Sequence, residues 1–222
     1  MNCSKFYGFA GLLIIAAIVA TWFAYPLMPA MVATHWDIHN QPNGYSPKSI
    51  IFIFGPGLMV GILLLAYCLP WLSPKRFGVD SFQSTYLYIM LLVLAVIAYV
   101  YGIILWVGTG HVVNVGRAVV GGVSLLFVFL GNVLGKVRRN FYVGVRTPWS
   151  LANERVWNAT QRFAGKAFVV AGLIGLLFAG IGMDGWLLIV PIAVAGIIPV
   201  IYSLVVYKQM EKRGELVNTP AE

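Results

Sequence analysis

Six stretches of this chain carry no Asp, Glu, Lys or Arg: residues 6–36, 49–74, 81–116, 118–135, 167–183 and 185–207. Each is continuously apolar, and each reaches the roughly 17–25 residues that a helix needs to cross a bilayer. The pattern predicts six transmembrane helices, over about 6–28, 50–70, 84–107, 118–135, 167–182 and 186–207. A transmembrane β-barrel would alternate polar and apolar residues along each strand, and these windows do not. The first window is too long for a signal peptide and lacks a small-x-small cleavage site. Tyr25-Pro26-Leu27-Met28 continues it, so it reads as a retained helix.

Polar residues gather in two segments between the windows, 29–49 and 136–166. Pro42-Asn43-Gly44 in the first is a turn signal. Gly55-Pro56-Gly57 interrupts the second window and reads as a kink. Gly131 and Gly135 stand four apart, on one face of the fourth helix, where they permit close helix contact. In the second polar segment Gly144 and Pro148 oppose a helix. Past them Ser150 is placed to cap a helix, with Glu154 in or near its first turn. Trp149, Ala152, Val156, Ala159 and Phe163 then form an apolar stripe, and Arg155, Asn158 and Arg162 a polar one. This spacing predicts an amphipathic helix lying along the membrane face. Met183-Asp184-Gly185 reads as a tight turn, and the charged tail 208–222 as mobile. The fold class expected is all-α: a polytopic helical membrane protein with six spans and one interfacial helix.

Composition sharpens this. Hydrophobic residues make up 60% of the 222 and charged residues 10%, against about 25% charged in soluble domains. Mean hydropathy is +0.85. A soluble domain and a disordered chain are both excluded. The positive-inside rule sets the orientation. With both termini inside, the inner segments hold 13 of the 15 basic residues, and the outside keeps Lys48 and Arg117. The net charge of +8 is then a topology signal that also attracts anionic lipid at the inner leaflet. No aromatic-rich stacking motif accompanies it, so no direct nucleic-acid partner is expected. Cys3 and Cys68 both fall on the inner side, where thiols stay reduced, so no disulfide is expected.

The outer segment contains His35-Trp36-Asp37-Ile38-His39. His35, Asp37 and His39 are candidate metal ligands, since zinc takes nitrogen and oxygen donors. A strand would place all three on one face. The alternative is local: Trp36 anchors at the interface while His35 and Asp37 hydrogen-bond nearby. No complete metal motif, nucleophile–base pair or phosphate loop is visible. No catalytic residue or cofactor is therefore assigned. A transporter usually places ionisable groups inside its spans, and these spans hold none. A small-molecule or ion transporter and a membrane metallohydrolase built on the outer His/Asp cluster remain the competing classes.

Two stretches carry a family resemblance. Gly131-Asn132, Lys136, Arg138, Asn140-Phe141, Gly144, Arg146-Thr147-Pro148-Trp149-Ser150, Val156-Trp157, Thr160 and Arg162 resemble the signature of the SdpI family, bacterial membrane immunity proteins. His35-Trp36-Asp37, Pro42-Asn43-Gly44-Tyr45 and Lys48 resemble a domain of unknown function that often precedes it. Asn40 stands where that domain commonly has Gly, and Asn also tolerates positive φ. The resemblance implies two units, 1–72 and 73–222. It implies immunity to a secreted peptide toxin, met by an outer face of His35, Trp36, Asp37, Asn43, Gly44, Tyr45 and Lys48. It further implies a receptor role, in which a cytoplasmic autorepressor is held at the membrane; the inner signature residues would be structural or would engage that partner. The plasma membrane is the location so implied.

Overall fold

A computed structural model describes residues 1–74 and 77–216. Lys75, Arg76 and the last six residues of the tail lie outside them. Helices α1 (Cys3–Ala24), α2 (Leu58–Leu72), α3 (Gln83–Gly108), α4 (Val115–Leu134), α6 (Glu154–Gly180) and α7 (Trp186–Lys212) form the frame, with a five-residue helix α5 (Pro148–Ala152) before α6. With the short turns that extend them, six of these helical stretches are 20 to 29 residues long and apolar enough to cross a membrane. The chain is a multi-pass helical membrane protein. Trp22, Trp71, Trp106 and Trp186 are exposed near helix ends, where indole rings suit the two bilayer interfaces.

Asparagines start three of the helices. Asn2 caps α1 by accepting from the Lys5 amide at 3.0 Å. Asn114 caps α4 through the Arg117 amide at 2.9 Å. Asn153 caps α6 through the Arg155 amide at 2.8 Å and the Val156 amide. Each accepts for backbone N–H groups that lack an intrahelical partner. Helices α1 and α2 pack on α3, α3 on α4, α4 on α6, and α6 on α7. The α4–α6 seam is the tightest. A methyl group on Gly131 would lie 2.5 Å from the Gly165 carbonyl oxygen, and one on Gly172 would lie 2.5 Å from that of Ser124. Backbone therefore meets backbone there, as small residues allow in membranes.

Several local expectations are corrected. The residues 29–49 are not all loop: β1 (Met31–Trp36) and β2 (Pro42–Pro47) form an antiparallel hairpin, so the chain is not purely helical. Pro42-Asn43-Gly44 lies in β2, and the reversal occurs over 37–41 instead. Asn40 adopts φ 61°, the left-handed conformation. The Asp37 carboxylate fixes this turn by accepting from the His39 and Gln41 amides at 2.9 and 2.8 Å. The kink expected at Gly55-Pro56-Gly57 is present: the chain forms a π-helical turn, Ile53–Gly57, with Gly55 at a non-helical ψ of −105°. The Tyr101 ring fills the space a Gly55 side chain would need.

The expected interfacial helix is not a separate element. Its residues from Glu154 onward are the first turns of α6, which runs unbroken to Gly180 and includes the fifth span. Ser150 caps no long helix: Thr147 caps α5 in a reciprocal pair with Ser150, and Asn153 caps α6. The buried face is also rotated from the expected stripe. Val156, Trp157, Thr160, Gln161 and Ala164 are buried, whereas Ala152 is exposed and Ala159 and Phe163 are half-buried. Residues 208–212, expected in the mobile tail, are the last turn and a half of α7.

Candidate functional site

The outer end is built on the hairpin. Lys48 follows β2 and reaches back to the end of α1. Its ammonium donates to the carbonyls of Tyr25 (3.2 Å) and Met28 (3.3 Å) and lies 4.4 Å from the Tyr25 ring centroid. A cation at a helix C-terminus is favoured by the helix dipole, so Lys48 ties the hairpin down. The hairpin turn is tied at its other side by Asn40, whose carboxamide oxygen accepts from the Val115 amide at 2.8 Å, at the start of α4. That helix end is joined to the α6–α7 turn. Asn114 and Arg117 each donate to Asp184 at 2.9 Å. Arg117 holds the Asp184 carboxyl below the usual carboxylate range, with Asn114 adding to the effect.

These anchors leave two kinds of outer residue. His35, Asn43 and Tyr45 are exposed, and the His35 ring is hydrogen-bonded to the Asn43 carboxamide. Gly44 lies opposite His35 in the ladder, where a methyl group would come within 2.9 Å of the His35 Cβ. Trp36 and Asp37 are half-buried and line a hollow of about 170 Å³ against α4 and α7. Beneath the hairpin Ile51, Phe54, Leu58, Val96 and Tyr101 line an apolar hollow of about 280 Å³. The candidate metal set is not assembled: His35 pairs with Asn43, and Asp37 holds the turn. Among the described residues no three His, Cys, Asp or Glu side chains are grouped to hold a metal. His111 stacks on Trp106, with ring centroids 3.9 Å apart.

The opposite end is a folded polar platform. Asn140 is fully buried and makes four hydrogen bonds. Its oxygen accepts from the Tyr142 and Val143 amides at 2.7 Å each, and its nitrogen donates to the Arg138 (2.7 Å) and Val143 (3.0 Å) carbonyls. Gly144 has φ 110°, and a side chain there would strike the Gln161 carboxamide. Gln161, buried on α6, pairs with both backbone groups of Val145 at 3.0 Å. Trp157, also buried, donates its indole N–H to the Val137 carbonyl at 2.8 Å. The Thr147 hydroxyl lies 2.8 Å from that of Ser203 on α7. The platform is thereby fixed to both α6 and α7.

Its basic residues divide by role. Arg146 donates to the Phe141 carbonyl. Arg139 donates to the Leu151 carbonyl and lies over the Phe77 ring, which itself packs on Phe141. Lys136, Arg138 and Arg162 instead line an open cleft of about 580 Å³ beside the start of α3.

Comparison with known proteins follows this division. Residues 12–60 match a domain of unknown function, DUF1648, and residues 136–203 match the SdpI/YfhL protein family. Residues 136–203 are thus similar to the SdpI/YfhL protein family. The Immunity protein SdpI of Bacillus subtilis (strain 168) is 27% identical over 150 residues, which cover 68% of this chain and 70% of that protein. No solved structure matches the chain.

The matched segment opens at the platform and closes at Ser203, the α7 partner of Thr147. Within it the structure brings together Asn140, Gly144, Thr147, Trp157 and Thr160 as buried or tightly packed parts of one fold. Thr160 is buried with its hydroxyl unpartnered among the described residues. Pro148 begins α5, and Trp149 is half-buried on it. Asn132 does not join the platform: it is exposed on α4. Sequence reading missed Ser203, a lone hydroxyl within an apolar window, and Gln161, which is hidden among the other polar residues of the first turns of α6. It also missed Asn40, Asn114, Arg117 and Asp184 as one outer network, because they lie on three separate loops and helix ends.

Proposed function

We propose that this chain is an immunity protein of the bacterial plasma membrane, protecting its host from a secreted antimicrobial peptide toxin. The family match of residues 136–203, with a relative named as an immunity protein, carries this reading. Both termini lie inside, in accord with the basic platform at that end. The chain is organised as an outer recognition unit, 1–72, and an SdpI-like unit, 73–222. No chemistry is required of either, so the protein acts by binding and is not an enzyme.

The toxin meets the hairpin end. Exposed His35, Asn43 and Tyr45 offer polar and aromatic contacts, and Trp36 and Asp37 border a hollow beside them. The apolar hollow below suits the hydrophobic side chains of a membrane-active peptide. Gly44 and Lys48 act through the fold, by admitting His35 and by anchoring the hairpin. At the inner end Arg146 and Trp149 on the platform surface are placed to engage a cytoplasmic autorepressor, and its basic residues attract anionic lipid. A receptor role requires two bundle states with different affinity for that partner. The Asn40–Val115 and Asp184–Arg117 contacts connect the hairpin to the helices that carry the platform.

Tyr45→Ala and Trp36→Ala test the recognition face. Tyr45 is 58% exposed, so its truncation leaves the fold intact. Each variant is expected to weaken toxin binding to the purified protein about tenfold or more, as aromatic anchors do at interfaces. Binding measured by microscale thermophoresis, at equal membrane abundance, checks this. Unchanged affinity in both variants would move recognition off the hairpin.

A further inference from the structure

Lys136 and Arg138 follow the end of α4, and Arg162 projects from the third turn of α6; all three line the cleft of about 580 Å³ beside the start of α3. The Arg162 stem crosses the end of α4 at Gly135, where a methyl group would sit in ordinary contact with the Arg162 Cγ at 3.5 Å. Asp80 lines the same cleft, so three cations face one carboxylate. None of the four is in an ion pair among the described residues. Holding like charges around one cavity costs free energy that a bound anion would offset.

The depth of the site identifies the ligand further. From Arg162 to the end of α6 at Gly180 the helix rises about 27 Å, close to the roughly 30 Å of hydrocarbon. With Gly180 at the outer edge of the hydrocarbon, that length brings Arg162 to its inner edge, next to the lipid phosphates. Arginine is suited to phosphate because its planar fork donates two parallel hydrogen bonds.

We propose that this cleft is a stoichiometric phosphate-binding site, filled by the headgroup phosphate of an anionic phospholipid of the inner leaflet. It deepens the general attraction of the basic end for anionic lipid into one site with named ligands. It stands whether or not the toxin reading does.

The test uses the full-length protein released from mixed vesicles of phosphatidylglycerol and phosphatidylcholine, with retained lipid counted by native mass spectrometry. The wild type is expected to keep one phosphatidylglycerol per chain. The double variant Arg138→Gln/Arg162→Gln is expected to reduce that occupancy at least tenfold. Arg155→Gln, an exposed arginine of α6 outside the cleft, should leave it unchanged. Thermal midpoints measured without phosphatidylglycerol check that the variants fold. Adding inorganic phosphate at matched ionic strength separates the sources. Retention that persists confirms a lipid ligand; displacement at millimolar concentration assigns the site to a soluble phosphate. Equal loss in the double variant and in Arg155→Gln would reduce the effect to diffuse charge and overturn the site. So would a wild type that retains neither ligand.

Discussion

Gly131→Leu is expected to separate α4 from α6 and leave little folded protein. A methyl group alone at this position would lie 2.5 Å from the Gly165 carbonyl oxygen and 2.9 Å from the Val169 amide nitrogen. Those are backbone atoms of a long helix and cannot rotate away, so the whole helix must move. Overpacking of this kind costs about 1–3 kcal/mol for small insertions and more for large ones. Gly131→Ala is expected at the lower end and Gly131→Leu at about 3 kcal/mol or above. Gly121 is the internal control. It lies on the same helix with open space where its side chain would grow, so Gly121→Ala should be neutral or slightly stabilising. Thermal unfolding of detergent-purified protein distinguishes the two, and an unchanged midpoint for Gly131→Leu would contradict the packed seam.

The second large effect belongs to Asn140. Truncation to alanine leaves two amides and two carbonyl acceptors of the loop without their side-chain partner, in a place water does not reach. A buried unpaired group costs about 1–3 kcal/mol. The expected result is local, since the helices keep their own hydrogen bonds. Segment 137–147 loosens while the spans remain. Trypsin applied to the inner face should then cut at Arg138, Arg139 or Arg146 at least tenfold faster than in the wild type. Asn140→Asp keeps the two accepting bonds, loses both donations and buries a charge, so it should be rescued poorly. Wild-type cleavage rates in Asn140→Ala would show that the platform is not held this way.

These two sites also mark what the sequence discloses. The spans are legible because charge is excluded from hydrocarbon, and six charge-free windows became six helices. Gly131 is legible as one small residue of a pair four apart. Its true partners, Gly165 and Val169 on α6, are not, because spacing within one helix says nothing of which helix faces it. Residues 154–166 misled for a related reason. Arg155, Arg162 and Lys166 make the stretch resemble a surface helix, yet a spanning helix can begin in water and continue inward, as α6 does. Pro42-Asn43-Gly44 has turn chemistry but sits in a strand, while Asp37 and Asn40 supply the reversal. The signature residues were recognisable as a pattern. That Asn140, Gly144 and Trp157 are builders of the platform, and Lys136, Arg138 and Arg162 its open basic wall, depends on contacts between segments distant in sequence.

Survival under toxin challenge tests the central claim most directly. A sensitive bacterium carrying this chain, or an empty vector, is exposed to the toxin against which the Bacillus subtilis immunity protein acts, with membrane insertion verified separately. An immunity protein raises the inhibitory toxin concentration at least tenfold over the vector, and Tyr45→Ala lowers that gain at equal abundance. Full insertion with sensitivity equal to the vector's would contradict immunity to that toxin as the function of this chain.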